Sequence, residues 1–346
     1  MRFVSPLLKK VVYPAMHHGG WLKRLAPSGG CAVVNYHGVI PPGYDSRDPF
    51  LDGNLVSPSG LHKQIRFLKV HYEVIRPSDF RHWIQNGGVL PARSVLVTCD
   101  DGLLNNLLDM LPIFQSEEIE CLFFITGASC SERPGMLWYE ELYQLLRSGT
   151  LGDEDLRLLL GVSGRPATPS GFHALWWNAV VNISRLSAAA RAERMSVLRG
   201  RSKVCDSTFS ERRWRLINVQ ELRQLAQAGM TIGAHTMSHP VLSECSAEES
   251  CREIKESKVA LERALGEPVW AFAYPFGNPA TMGDREVDLA RKAGFECAFL
   301  NIGGGFSENS QPFAFSRTHI TADMSVAELE AHMIGFHARL QNAVRG

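Results

Sequence analysis

Short apolar runs alternate with amphipathic helical patterns along most of this chain, and that rhythm most limits what it can fold into. "CAVVNYHGV" (31–39), "SVLVTCD" (94–100), "IECLFFITG" (119–127), "MTIGAH" (230–235), "VWAFAYPFG" (269–277) and "CAFLNIG" (297–303) read as strands, with "AFSRTHI" (314–320) as the last. They are continuously apolar rather than alternating, as strands buried on both faces are. Between them, 57–71, 103–117, 218–229, 246–266, 284–295 and 325–340 carry apolar residues at helical spacing. Two of these open on a capping pattern, Asn218 with Glu221 and Ser246 with Glu249, and close on Gly229 and Gly266. Strand–helix alternation predicts an α/β fold with a parallel sheet under helices, and right-handed crossovers can close such a sheet into a barrel. An open doubly wound sheet is the alternative. It is weakened because no G-x-G-x-x-G follows the first strand.

Residues 136–215 break the rhythm. "MLWYEELYQLLRSG" and "ALWWNAVVNISRLSAAARAERMSVLRG" read as helices and "GVSGRPATPSG" as the loop between them, so a helical insertion is expected there. Trp176 and Trp177 belong either to its core or to the edge of a substrate groove. Residues 1–30 are basic and patchily apolar, interrupted at Lys9, Lys10, Lys23 and Arg24. They contain neither a membrane-spanning length of apolar residues nor the uninterrupted core of a signal peptide. We expect a peripheral helix packed outside a catalytic domain of residues 31–346. Contact with an anionic membrane surface is the alternative.

Lysine plus arginine equals aspartate plus glutamate at 36 each, so no polyanion-binding surface is forced and nucleic-acid binding is not expected. The eight cysteines form no C-x-x-C, which gives no support to a zinc ribbon or a thioredoxin site. Their scatter leads us to expect reduced thiols and a cytoplasmic protein, membrane-associated if the N-terminal segment meets lipid.

In barrels and open α/β sheets alike, reactive groups gather beyond the carboxyl ends of the strands. Here one strand ends in Asp100-Asp101, another in "HTMSH" with His235 and His239, a third in "YPFG". Each is weak alone. Adjacent aspartates before glycine commonly make a turn or cap, and H-x-x-x-H is frequent by chance. Together, two imidazoles and a carboxylate form a zinc-type set with an open position for water. A helical turn after the strand would bring the two histidines to one side. Neighbouring carboxylates on extended backbone would face opposite ways and divide the work between them.

These residues resemble the motifs of the polysaccharide deacetylases, the NodB-homology family. "TCDDG" resembles T-F-D-D-G, and "HTMSHP" resembles H-[ST]-x-x-H-P. "FAYPFG" and "NYHGV" resemble elements of the branch acting on poly-N-acetylglucosamine. The resemblance covers about residues 31–320. It implies a distorted (β/α) barrel, often seven-stranded, and metal-dependent removal of N-acetyl groups from an amino sugar, in a polysaccharide or a glycolipid-linked precursor. Motif by motif, it implies Asp101, His235 and His239 as ligands of a divalent metal, zinc by preference. Asp100 would be the general base, and the backbone N–H of Phe276 an oxyanion donor. Two departures stand out. Ala273 replaces an arginine that orients the base, and Arg317 is a candidate substitute or a structural arginine. The general-acid motif is not recognisable, leaving His319 and His37 as candidates. Other readings are an amidohydrolase for a small non-sugar amide and a non-catalytic carbohydrate-binding relative.

Overall fold

The computed structural model describes residues 6–27, 29–45, 48–202, 211–303, 305 and 311–345. Its strands are β1 (Cys31–Tyr36), β2 (Gly38–Val39), β3 (Leu55–Val56), β4 (Glu73–Val74), β5 (Ser94–Asp101), β6 (Leu122–Ile125), β7 (Thr231–Ala234), β8 (Ala271–Ala273), β9 (Cys297–Phe299) and β10 (Thr318–His319). Seven run side by side in the order β10-β1-β5-β6-β7-β8-β9, every neighbouring pair parallel. The small β4 pairs with the beginning of β5, and β2 and β3 form a separate two-stranded ribbon. β9 meets the chain leading into β10 through a bridge between Phe299 and Phe315, so the sheet curls into the expected distorted barrel.

Strand alternation sorts the side chains. Val95, Val97 and Cys99 of β5 join Ala32, Val34 and Tyr36 of β1 in the core beneath the surrounding helices. Leu96 points the other way, with Cys31, Val33, Leu122, Phe124, Ala271, Ala273, Cys297 and Phe299, and fills the barrel. Cys99, where the family pattern has phenylalanine, is a packing residue against Met110, the two sulfurs 3.9 Å apart. Continuing the inward register upward from Leu96 gives Thr98 and then Asp100. The sheet therefore delivers a carboxylate to the barrel's mouth on a fully buried strand.

The insertion has its own core of leucines, Trp176 and Trp214. It contains more helix than the sequence patterns suggest: Trp138–Arg147, Asp153–Leu160, Pro169–Ser184, Ala188–Arg201 and Glu211–Trp214. The long pattern at 174–200 breaks at 185–187 because Ser187 accepts a hydrogen bond from the Ala190 N–H and starts a new helix. Trp176 is core, its Nε1 donating to the Tyr139 carbonyl at 2.8 Å. Trp177 is half-buried and meets Phe276 edge-on.

Near the N-terminus, the helices Tyr13–His18 and Trp21–Leu25 bury Tyr13 and Leu22 against Ala327, Ala331 and Ile334. Leu7, Val11, Trp21 and Leu25 remain exposed. No described helix is long and apolar enough to cross a membrane. Seven described cysteines are free thiols, and Cys205 lies outside the described residues.

Candidate active site

Three strand ends converge. β5 contributes Asp100 and Asp101, β7 leads into His235 and the loop to His239, and the turn after β8 presents Phe276. The backbone pays for this geometry with unusual conformations: Asp101, Thr236, His239 and Phe276 all have positive φ, at 78°, 61°, 57° and 59°. Such residues persist only where their surroundings hold them, and they concentrate at functional sites. Two sequence expectations are corrected here. Asp101 is not on extended backbone, so simple alternation does not separate the two carboxylates. The histidines converge without a helical turn, through left-handed Thr236 and His239, pinned where the His239 N–H donates to the Thr236 hydroxyl oxygen at 3.0 Å.

Asp101, His235 and His239 lie buried with potential ligand atoms all within 4.8 Å of one another. The Nε2 atoms of His235 and His239 stand 3.6 and 3.4 Å from Asp101 Oδ1. That oxygen is buried and has no hydrogen-bond partner among the described residues. His235 donates from Nδ1 to the Ala273 carbonyl at 2.8 Å, which leaves the Nε2 lone pair turned to the site. Burial pushes both imidazoles below their ordinary pKa, so both are neutral near pH 7. Burial, then the charge of Asp100, pushes the Asp101 carboxyl up. The His235 lone pair, the His239 Nε2 and an unpartnered carboxylate oxygen crowd one buried point, an arrangement that a divalent cation resolves. The residues present fit such an ion.

Asp100 has the opposite surroundings. Burial alone would raise its carboxyl, but Arg317, with lesser help from His235 and His37, holds it well below the usual carboxylate range. Arg317 is fully buried and grips both oxygens, Nη1 to Oδ1 at 2.6 Å and Nη2 to Oδ2 at 2.7 Å. Its own position is set by Nε donating to the Leu300 carbonyl at 2.8 Å and by the Phe124 ring beneath the guanidinium. Arg317 thus reaches from β10's approach to the carboxylate of Asp100. Asn35, which opens "NYHGV", adds a third hydrogen bond to Asp100 at 2.8 Å.

The two candidate acids separate. His319 is committed at both nitrogens, Nδ1 accepting from Asn301 at 3.2 Å and Nε2 donating to Asn54 at 2.9 Å. Burial pushes its pKa down to about 3. His37 packs edge-on to it, centroids 4.9 Å apart, and has a buried Nδ1 with no partner among the described residues. Burial lowers its pKa to about 4, with Asp100 opposing the shift.

The Phe276 N–H has no hydrogen-bond partner among the described residues. Gly277 permits this turn: a Cβ there would lie 2.5 Å from the Asn301 backbone nitrogen. The Phe276 ring also packs at the site. It forms a wall with Tyr139 and Trp177 from the insertion and with His239, at centroid distances of 5.4, 5.2 and 4.8 Å. Tyr139 was not foreseen, because nothing in its local pattern separates it from a core aromatic.

Residues 201–298 match the family model of polysaccharide deacetylases, which upholds the family read from the motifs. Bacillus subtilis YxkH, whose own assignment as a polysaccharide deacetylase is provisional, is 21% identical over 114 residues, 33% of this chain and 40% of that protein. The match therefore spans well under half of that relative. Among solved structures, the Streptococcus pyogenes deacetylase PplD in complex with acetate superposes with a TM-score of 0.55 at 16% identity, covering 89% of this chain and 99% of that one. A de-N-acetylase from Aggregatibacter actinomycetemcomitans gives 0.56 at 13%, covering 88% and 99%. IcaB from Ammonifex degensii gives 0.54 at 16%, covering 88% and 97%. At these identities the likeness establishes the fold.

Proposed function

We propose that this chain, a polysaccharide deacetylase domain on a distorted (β/α) barrel, is a metal-dependent hydrolase that removes N-acetyl groups from an amino sugar within a glycan. The observation that carries this reading is the pairing of two unlike carboxylates. Asp100 is clamped in its ionised form by Arg317, beside an Asp101–His235–His239 set that fits a divalent cation.

In this reading Asp101, His235 and His239 hold the ion, zinc by preference. Once bound, it supplies Lewis acidity for an amide carbonyl and for a nucleophilic water. Asp100 takes the proton from the attacking water, and Arg317 and Asn35 fix the direction of its lone pairs. The Phe276 N–H faces the oxygen that gains charge as the carbonyl becomes tetrahedral. His37, the histidine with an uncommitted ring nitrogen, is neutral at rest and passes on to the departing amine the proton that Asp100 has taken from the water. His319 braces the wall beside it. The Tyr139–Trp177–Phe276 face gives a pyranose ring an apolar surface to lie on and limits water around the reacting carbonyl.

The test is metal content together with acetate release across N-acetylated glycans of different linkage and length. We expect one divalent ion per chain and release that a chelator abolishes and zinc restores. A protein that takes up no ion and releases no acetate from any glycan would remove the reading. Release only from small non-sugar amides would favour the alternative amidohydrolase.

We further propose that the N-terminal helices rest on an anionic lipid surface, supported by exposed Leu7, Val11, Trp21 and Leu25 among exposed Lys10, Lys23 and Arg24. The protein is expected to co-sediment with vesicles containing phosphatidylglycerol. It should bind them less after Trp21→Ala and fail to bind neutral vesicles. Equal recovery with both vesicle types would end this proposal.

A further inference from the structure

The loop from His235 to His239 is held from behind by a buried ion pair that the reaction itself does not use. Arg191, from the insertion helix Ala188–Arg201, meets Glu253, from the helix Ala247–Leu265, at 2.7 Å, and both are about 2% exposed. Both oxygens of Glu253 also take hydrogen bonds from Ser238, one from its N–H at 2.8 Å and one from its hydroxyl. Arg191 Nη2 donates to the same hydroxyl at 2.6 Å, and Nη1 to the Leu186 carbonyl at 3.3 Å. The Glu253 backbone carbonyl accepts from the Met237 N–H at 3.0 Å. Trp138, beneath the Arg191 guanidinium, donates from Nε1 to the His239 carbonyl at 3.2 Å. On the other side, Met237 fills the place where a Gly127 side chain would stand, its sulfur 2.2 Å from an added Cβ. A loop with two left-handed non-glycine residues is thus tied to the insertion, to the helix Ala247–Leu265 and to the segment at Gly127.

We infer that Arg191 and Glu253 are positioning residues for the His239 ligand, and that occupancy of the metal site is coupled to docking of the insertion. This rests on the metal-site reading above. Two charges inside a protein are a poor source of stability. Here the guanidinium fork serves three acceptors at once: the carboxylate, a hydroxyl and a carbonyl. Lysine keeps the charge but lacks the planar fork, so Arg191→Lys separates geometry from charge. Because one helix of the pair belongs to the insertion, whatever fixes the loop also fixes the helix. Coupling of this kind is reciprocal.

The experiment measures zinc affinity by competition with a chromophoric chelator, and amide exchange with and without zinc, on the full chain. Arg191→Lys is expected to weaken zinc binding about tenfold or more, the range for lost partners of metal ligands. Ser238→Ala, which leaves the ion pair intact, should weaken it in the same direction. Arg201→Ala, at the end of the same helix as Arg191, breaks only a surface pair with Asp155 of the helix Asp153–Leu160 and should bind zinc as wild type does. Zinc should slow exchange across 188–201 in the wild type, and that slowing should vanish in Arg191→Lys. Wild-type zinc affinity in folded Arg191→Lys overturns the inference, since a purely structural pair would alter stability and not affinity. If that variant does not fold, wild-type affinity in Ser238→Ala overturns it instead. A wild-type chain that takes up no zinc overturns the metal-site reading itself, whereas zinc uptake with unaffected variants overturns only the coupling.

Discussion

Asp100→Asn is expected to lower kcat for acetate release by about 10²–10⁴-fold, the usual worth of a positioned general base, while the protein still takes up its metal. The amide keeps the size of the carboxylate and one oxygen for Arg317, but it has no basic lone pair for a water proton. Asp101→Asn is expected to behave differently and lose metal first, because its oxygen faces the two imidazoles at 3.4 and 3.6 Å. Measuring acetate release and metal content on the same preparations distinguishes them. Full activity in Asp100→Asn would leave a binding protein or a different base. Loss of metal in both variants would mean that the adjacent carboxylates share one task. The direction of the Asp100 pKa supports the assignment, since a carboxylate held below its ordinary range stays ionised wherever the neutral imidazoles can bind metal.

How much of this was legible beforehand differs from residue to residue, for physical reasons. The barrel strands announced themselves because burial on both faces leaves an unbroken apolar run, as in "SVLVTC". β4, with only Glu73 and Val74, has no pattern long enough to read. Asp100, Asp101, His235 and His239 were readable because strand ends concentrate at one end of a parallel sheet, whatever the intervening sequence does. The conformations that aim them were not. Positive φ at Asp101, Thr236 and His239 is imposed by tertiary contacts rather than by local preference. Arg191 and Glu253 lie 47 and 15 residues from Ser238 along the chain, and each looks like an ordinary charge on an amphipathic helix. Only burial distinguishes them. Arg317 falls between. Its candidacy came from a gap at Ala273, yet no pattern could show that an arginine 44 residues later would reach the same carboxylate.

That long reach makes Arg317 the position where substitution should do the most damage. Arg317→Met removes the charge from a fully buried pair and leaves Asp100 without its cation, and breaking such a pair costs about 3–5 kcal/mol. Urea unfolding should show that loss. Asp100 then keeps the burial that raises its pKa and loses the main influence that lowers it, so its folded-state value moves upward. In the wild type, the depressed carboxyl contributes stability that is fully present above the ordinary carboxylate pKa of about 3.9 and is lost as pH falls below it. In Arg317→Met that contribution disappears, and the acid limb of kcat/KM should shift to higher pH. Adding Asp100→Asn removes the stranded charge. The double variant is therefore expected to recover much of the stability lost by Arg317→Met while remaining inactive. Recovery of both stability and activity would show the pair to be dispensable to the chemistry. Recovery of neither would mean that Arg317 supports the barrel through Leu300 and Phe124 rather than through the base it holds.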